Sequence, residues 1–363
     1  MVNMIVGESN KRIIFFGELP PNTLHGASIS NKINLSIIKK TADIVVVEEF
    51  SNLKYHGKFS FIKVIDFLKS LLILLKSSRI GGYDFFYSVL YLSSFGIFKN
   101  ILTIHIFRFF NRRSKVILHV HRSDFNVFFN RNKLNKMLFN YLNRLVDTFI
   151  VLSQQHNIEF AAGGIKNEVL FNTIEIEIGQ VHKINLKNAG FKCIYLSNYI
   201  KEKGIMELLK AISILDRDKT VTLDCFGNKT DPLFFGELES LAISLPAIKL
   251  NGPISGIDKF QKLAQSDVII LPSYNEGMPL VLMEAMSIGL PIITTGVGFI
   301  PELLGPDYPF YCEPKNVDSL KQTLQKFFDY EKRTELSEYL LNRFQMNFSY
   351  AVHERRINEI FFN

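Results

Sequence analysis

No stretch of about 18 apolar residues runs free of charges and breakers in this sequence. The longest candidates, near 85–98 and 101–107, are separated by Lys99 and closed by Arg108, so no transmembrane helix is expected. No basic region precedes the short apolar start of "MVNMIVGESNKRIIFFGEL", which therefore does not read as a secretory signal; the expected location is the cytoplasm. Cysteine is scarce: Cys193, Cys225 and Cys312 show no C-x-x-C spacing, and two of them lie in strand-like runs, which fits reduced core thiols. Low-complexity and Gly/Ser/Pro-rich tracts are missing, so the chain is expected to be ordered almost throughout. Walker lysine patterns, serine elbows and zinc clusters are missing too. "GVGFIP" at 296–301 lacks the third glycine of a dinucleotide fingerprint, and "DRD" at 216–218 falls in a polar turn between a helix and a strand.

What is present is a 363-residue chain, 47% hydrophobic and 21% charged, long enough for two cores. Its net charge of +7 is unevenly divided. Residues 1–190 carry 24 Lys/Arg against 13 Asp/Glu, and the remainder 18 against 22. The surplus positive charge thus sits on one lobe, which suits an anionic membrane surface, a phosphorylated lipid or nucleic acid, or is simply a solvated basic surface.

Short β-rich runs alternate with amphipathic stretches twice along the chain. The first series is "RIIFFGE" (12–18), "ADIVVVEEF" (42–50), "DFFYSV" (84–89), "KVILHVH" (115–121), "TFIVLS" (148–153) and "EVLFN" (168–172). The second is "FKCIYLSN" (191–198), "VTLDCFG" (221–227), "IKLNG" (248–252), "DVIILPS" (267–273) and "PIITT" (291–295). Each series predicts an open parallel sheet covered by helices on both faces, an α/β fold of two Rossmann-like domains. The polar segment 175–188 reads as the linker. The domains are then 1–185 and 186–345, with a last helix, about 346–363, packing back on the first. In such sheets ligands bind outside the carboxyl ends of the strands.

Two acids stand out in "PSYNEGMPLVLMEAMSIGLP" (272–291), an otherwise almost uncharged segment. "DVIILPS" ends a strand, Pro279 suits a first helical position, and Gly289 with Pro291 gives a stop pattern. Glu276 is thus placed in the loop at the strand's carboxyl end and Glu284 about a turn and a half into the helix. The amides of Gly277, Met278, Leu280 and Val281 would favour an anion, while carboxylates beside it suit sugar or ribose hydroxyls. On spacing alone, Glu276 reads equally as a helix cap and Glu284 as a solvated face residue. In "HVHRSD", His119 and His121 alternate at a strand end and so share a face. Either donates to a ligand or is a core histidine bonded to backbone, and no third ligand is visible for a metal.

The run "PSYNEGMPLVLMEAMSIGLPIITTGVGFIPELL" resembles the acidic signature, Glu, seven residues, Glu, of the retaining GT-B glycosyltransferases of family four (group 1 glycosyltransferases). Looser similarity extends over "IYLSNYIKEKGIMELLKA", "IKLNGPI", "FIVLS" with "VLFNTIE", and "VILHVHRSD". The resemblance implies two doubly wound domains facing across a cleft, with the nucleotide sugar on the second and the acceptor on the first. It implies that Glu276 contacts the donor sugar, Glu284 the ribose, and the backbone of Gly277, Met278, Pro279 and Leu280 the sugar and diphosphate. Lys203 matches the family's diphosphate lysine, and Gly26 its glycine loop. His121 is the implied cleft histidine, with His119 behind it. Asn198 stands where the family commonly has arginine, which removes a bidentate phosphate partner, a loss for which Lys201 or a cation of the first lobe is the expected compensation.

The implied reaction is a metal-independent transfer with retention, from a nucleotide diphosphate sugar to a saccharide hydroxyl, with no cofactor. "FGIFKNILTIHIFRFFNRRSK" mixes aromatic and aliphatic bulk with arginines, as an interfacial segment does, or as a helix buried on both sides does. With the charge split it predicts a peripheral enzyme at the inner membrane face, acting on a polyprenyl-diphosphate-linked intermediate of surface polysaccharide, O-antigen or capsule, and not on nucleic acid. A sugar epimerase or phosphorylase of the same fold, or a non-catalytic nucleotide-binding scaffold, are the alternatives.

Overall fold

A computed structural model describes residues 4–5, 11–23, 25–49, 61–175, 190–215 and 221–363, with 4–5 and 61–63 described by backbone alone. The chain forms two compact units: 1–173 with 350–363, and 174–349. The linker expected over 175–188, with its boundary at 185/186, lies almost wholly outside the described residues, as does "DRD" at 216–218.

The first unit is built from β1 (Met4–Ile5), β2 (Arg12–Gly17), α1 (Gly26–Ile38), β3 (Asp43–Glu48), α2 (Phe61–Ser78), β4 (Phe85–Val89) and α3 (Ser94–Phe110). It continues through β5 (Lys115–Val120), α4 (Phe125–Asn130), α5 (Lys133–Asn143), β6 (Thr148–Val151), α6 (Gln154–Ala162) and β7 (Asn167–Val169). The sheet order is β1-β3-β2-β4-β5-β6-β7, parallel except for β1. Alternation along β2 divides its side chains between two cores. Ile14 and Phe16 pack with Leu74 of α2, Phe107 of α3 and Phe139 of α5, whereas Ile13 and Phe15 pack with Leu35 of α1.

The second unit contains β8 (Phe191–Leu196), a 3-10 turn (Lys201–Lys203), α7 (Ile205–Ser213), β9 (Val221–Phe226), α8 (Pro232–Ile243), β10 (Ile248–Asn251), α9 (Gly256–Ala264) and β11 (Val268–Leu271). Then follow α10 (Leu280–Ser287), β12 (Ile292–Thr295), α11 (Ile300–Leu304), β13 (Tyr311–Cys312), α12 (Val317–Phe328) and α13 (Arg333–Asn347). Its sheet is fully parallel in the order β10-β9-β8-β11-β12-β13. Strand order therefore reverses between β8 and β11, the place where open α/β sheets leave a crevice.

The last helix, α14 (Tyr350–Phe362), belongs to the first unit. Ile357 and Phe361 enter the core around Ile13 and Phe15, and Phe361 meets Phe85 and Tyr87 edge-on. Each strand expected from the sequence forms, shortened at its ends, except that the one expected over 168–172 begins a residue earlier, at Asn167, and stops at Val169. β1 and β13, two residues each, were not expected, because two residues carry no readable alternation. Pro279 is the N-cap of α10 and not its first helical residue: its extended ψ of 122° delays the helix to Leu280. Cys193, Cys225 and Cys312 are free and buried, and burial pushes all three thiols up, Cys312 to about 12.

Candidate active site

The second unit assembles its site around the β8/β11 reversal. After β8 the chain runs through Asn198 into the 3-10 turn, which closes on Gly204 with φ of +69°. A Cβ at Gly204 would stand 2.0 Å from the carbonyl oxygen of Pro272, just past β11. Only glycine lets the turn lie so close to that strand end. The Tyr274 amide, in the loop after β11, donates to the Glu202 carbonyl at 2.8 Å, fixing the two segments together.

This juxtaposition brings Lys203 Nζ to 2.7 Å from Glu276 Oε1, although the residues are 73 apart in sequence. Glu276 is only 9% exposed, so its burial is tolerated because a cation faces it. Glu284, with a side chain 12% exposed, has a lysine of its own: Lys259 Nζ of α9 lies 2.5 Å from its Oε1. Burial raises the Glu284 pKa and Lys259 opposes the rise. Lys259 was not singled out in the sequence, where nothing about a lysine on an amphipathic helix marks it as the partner of an acid 25 residues on.

Asn198 is committed to structure. Its Oδ1 accepts from the Asn228 backbone amide at 3.3 Å and from Asn228 Nδ2 at 3.0 Å, tying the ends of β8 and β9. Met278 is buried, and the Gly277 carbonyl accepts from the Phe299 amide at 3.2 Å, which fastens the loop before α10 to the start of α11. Tyr274 OH donates to Glu207 at 2.6 Å, and Lys315, itself at φ of +61°, sits 5.0 Å above the Tyr274 ring.

In the first unit His119 and His121 share one face of β5 and the loop after it, with ring centroids 4.0 Å apart. His119 is fully buried; its Nδ1 is 2.9 Å from Tyr87 OH and 3.4 Å from Asn34 Nδ2. Burial first, and the neighbouring His121 and His353 second, hold it well below the ordinary histidine value. His121 Nε2 is 3.3 Å from Asn31 Oδ1, and burial together with nearby His25 brings its pKa down to about 3. Both rings are neutral at physiological pH. The network runs on to α14, where His353 bonds the Phe171 carbonyl and Asn34 Oδ1, each at 2.7 Å.

Gly26 is the first residue of α1 and not a loop residue, and a Cβ there would meet nothing within 4 Å. The loop before it is fixed instead by His25, which N-caps α1 and lies 2.7 Å from Glu18. A second buried pair, Lys99 with Glu49, stands nearby; burial lowers Lys99 to about 8. In the sequence Lys99 is visible only as an interruption of an apolar run.

Residues 179–343 match the family model of group 1 glycosyl transferases. The chain is 26% identical over 225 residues to the putative teichuronic acid biosynthesis glycosyltransferase TuaC of Bacillus subtilis, covering 58% of this chain and 54% of that protein. It is 24% identical over 191 residues to the capsular polysaccharide biosynthesis glycosyltransferase CapM of Staphylococcus aureus, covering 51% and 49%. The matched stretches thus span about half the length of each of these relatives. Among solved structures, the sucrose-phosphate synthase of Thermosynechococcus elongatus superposes with a TM-score of 0.76 at 13% identity over 96% of this chain and 98% of that one. HepE of Anabaena, in complex with UDP, gives 0.71 at 16% identity over 96% and 99%. At such identities the likeness is one of fold. The chain has the GT-B fold of glycosyltransferases, and the greater part of its second unit matches the group 1 glycosyl transferase family.

Proposed function

We propose that this protein is a retaining, metal-independent glycosyltransferase that moves a sugar from a nucleotide diphosphate sugar to a hydroxyl of a saccharide acceptor carried on a polyprenyl diphosphate. The observation that carries the reading is the Lys203–Glu276 contact beside the β8/β11 reversal. A cation and a carboxylate held together there offer the two functions a donor needs, a counter-charge for diphosphate and an acceptor for sugar hydroxyls.

In this reading Lys203 and the amides at the start of α10 take the charge that develops on the leaving diphosphate. A phosphate oxygen of that group receives the proton of the attacking hydroxyl, on the face of the sugar it has just left, so configuration is kept. Glu276 orients the transferred sugar, Glu284 holds the ribose, and His121, as a neutral imidazole, donates to a sugar hydroxyl. The relatives named for teichuronic acid and capsule synthesis support a surface polysaccharide as product.

The first unit favours action at an anionic membrane. Residues 85–146 contain ten Lys/Arg and one acid, Asp124. Ile65, Leu68 and Leu72 on α2, Phe95, Phe98 and Phe109 on α3, and Leu134, Met137 and Tyr141 on α5 are exposed. α3 packs against both α2 and α5, so the three stripes belong to neighbouring helices. Apolar bulk beside cations suits the headgroup region. Among the described residues no helix is long and apolar enough to cross a membrane.

The test is incubation with a panel of nucleotide diphosphate sugars and a synthetic polyprenyl-diphosphate-linked saccharide. Release of nucleoside diphosphate with an α-linked product from an α-linked donor is expected; an inverted product or isomerisation without acceptor defeats the proposal. Flotation with phosphatidylglycerol vesicles at low salt checks the surface, and indifference to them removes it from the reading.

A further inference from the structure

We propose that Lys259 is a second phosphate-binding cation of the donor site, taking the role that an arginine at position 198 would otherwise fill. The inference rests on the donor reading above and adds to it a residue that the acidic run does not contain. Asn198 cannot serve: it is neutral, and its carbonyl oxygen already accepts two hydrogen bonds from Asn228. Lys203 is left as one ammonium for a diphosphate that carries more than one negative charge, and Glu276 draws on that same ammonium.

The carboxyl side of the sheet offers other lysines. Lys229 lies 4.1 Å above the Phe235 ring with Glu239 at 3.6 Å, and Lys315 stacks on Tyr274. Lys259 differs from both in touching one of the two acids of the signature. It is the fourth residue of α9, and its partner is the fifth of α10, so both project near the amino ends of helices that follow β10 and β11. Its side chain is 21% exposed, open enough to meet a ligand and close enough to Glu284 to be oriented by it.

An ammonium has three donors. One remains on Glu284 when ribose hydroxyls arrive at that carboxylate, and the others, one of them now on the side of the Phe260 ring 5.6 Å away, turn to the phosphate attached to the same ribose. Lys203, paired with the sugar-binding acid, then serves the sugar-proximal phosphate. The two acid–lysine pairs divide the donor between them, one at each end of the diphosphate.

The test compares binding of a nucleoside with that of its mono- and diphosphate, beginning with uridine, UMP and UDP, to the wild-type chain, Lys259→Gln and Lys259→Arg, by ligand-observed titration. If Lys259 meets phosphate, Lys259→Gln weakens UMP and UDP by about tenfold to a hundredfold, the span of one charge-assisted hydrogen bond, and leaves uridine within about twofold. Lys259→Arg retains most of the affinity, and adding Asn198→Arg to Lys259→Gln restores part of it. Equal losses for nucleoside and nucleotides mean that Lys259 only holds Glu284 in place, and overturn the inference, as does unchanged UDP binding. A wild-type chain that binds no nucleoside diphosphate of any base removes the donor reading itself.

Discussion

The two units differ in the polar groups that they hold at the carboxyl ends of their central strands. In the second, the partly buried polar groups are charged and matched one to one: Lys203 with Glu276, Lys259 with Glu284. In the first, a buried charged pair, Lys99 with Glu49, stands just past β3, but the region around the end of β5 carries neutral rings and amides, His119, His121, Asn31, Asn34 and Tyr87, with histidines held unprotonated by burial. Matched charges suit a ligand that brings its own charge and exchanges one partner for another. A neutral network suits hydroxyls, which ask for directed hydrogen bonds and little field.

The comparison breaks most severely at Glu276. Glu276→Gln keeps the shape, frees Lys203 and replaces one of the two anionic acceptors of sugar hydroxyls with an amide donor; transfer is expected to fall by about a hundredfold or more, while affinity for the nucleoside diphosphate stays level or rises. Steady-state rates with titration of the diphosphate check this, and unimpaired transfer contradicts the assigned role. Next in size is Gly204→Ala. The added methyl meets the Pro272 carbonyl, and the left-handed backbone adds strain of roughly 1–3 kcal/mol. Thermal unfolding at a lower temperature, with weaker diphosphate binding as Lys203 shifts, is the expected pair of readouts.

In the first unit the contrast is sharpened by pH. An unfolded histidine takes a proton near 6.5, but His353 in its buried site does so only at about 4. The unfolded state therefore binds more protons between these values, so stability is complete above about 6.5 and declines as pH falls toward 4. The full interval is worth about 3 kcal/mol. Hydrogen exchange of α14 at pH 5 against pH 7 is expected to show earlier opening of this helix, and His353→Gln to reduce the difference to what His119 and His121, both also held down by burial, contribute. The smallest effect belongs to the exposed stripes: Leu72→Ser or Phe98→Ser is expected to weaken vesicle binding several-fold, at about 25 cal/mol per Å² of apolar area withdrawn, without altering turnover on a water-soluble acceptor.

The parts of this molecule legible in the sequence are those encoded locally. Apolar runs such as "FIVLS" and "DVIILPS" mark fully buried parallel strands, and the period of two put His119 and His121 on one face. The acids of the 272–291 run were visible because charge is rare in such company. Their lysines were not equally visible. Lys259 meets Glu284 across 25 residues, Asn198 meets Asn228 across 30, and His353 meets Asn34 across 319. Such pairings depend on how the strands are ordered, and no spacing rule within one segment contains that order. Gly26, matched by resemblance to a glycine loop, stands where α1 begins, with room for a side chain.

The assignment of α14 to the first unit has a consequence for biosynthesis. Ile357 and Phe361, which fill the core beneath Phe85 and Tyr87, are translated only after every residue of the second unit. On the ribosome the second unit, a contiguous segment, has all its elements in hand before the first unit has its last helix. The unit that begins the chain is the later one to close: until α14 arrives, α1 covers that face of the sheet without the aromatic contacts that Phe361 makes to Phe85 and Tyr87.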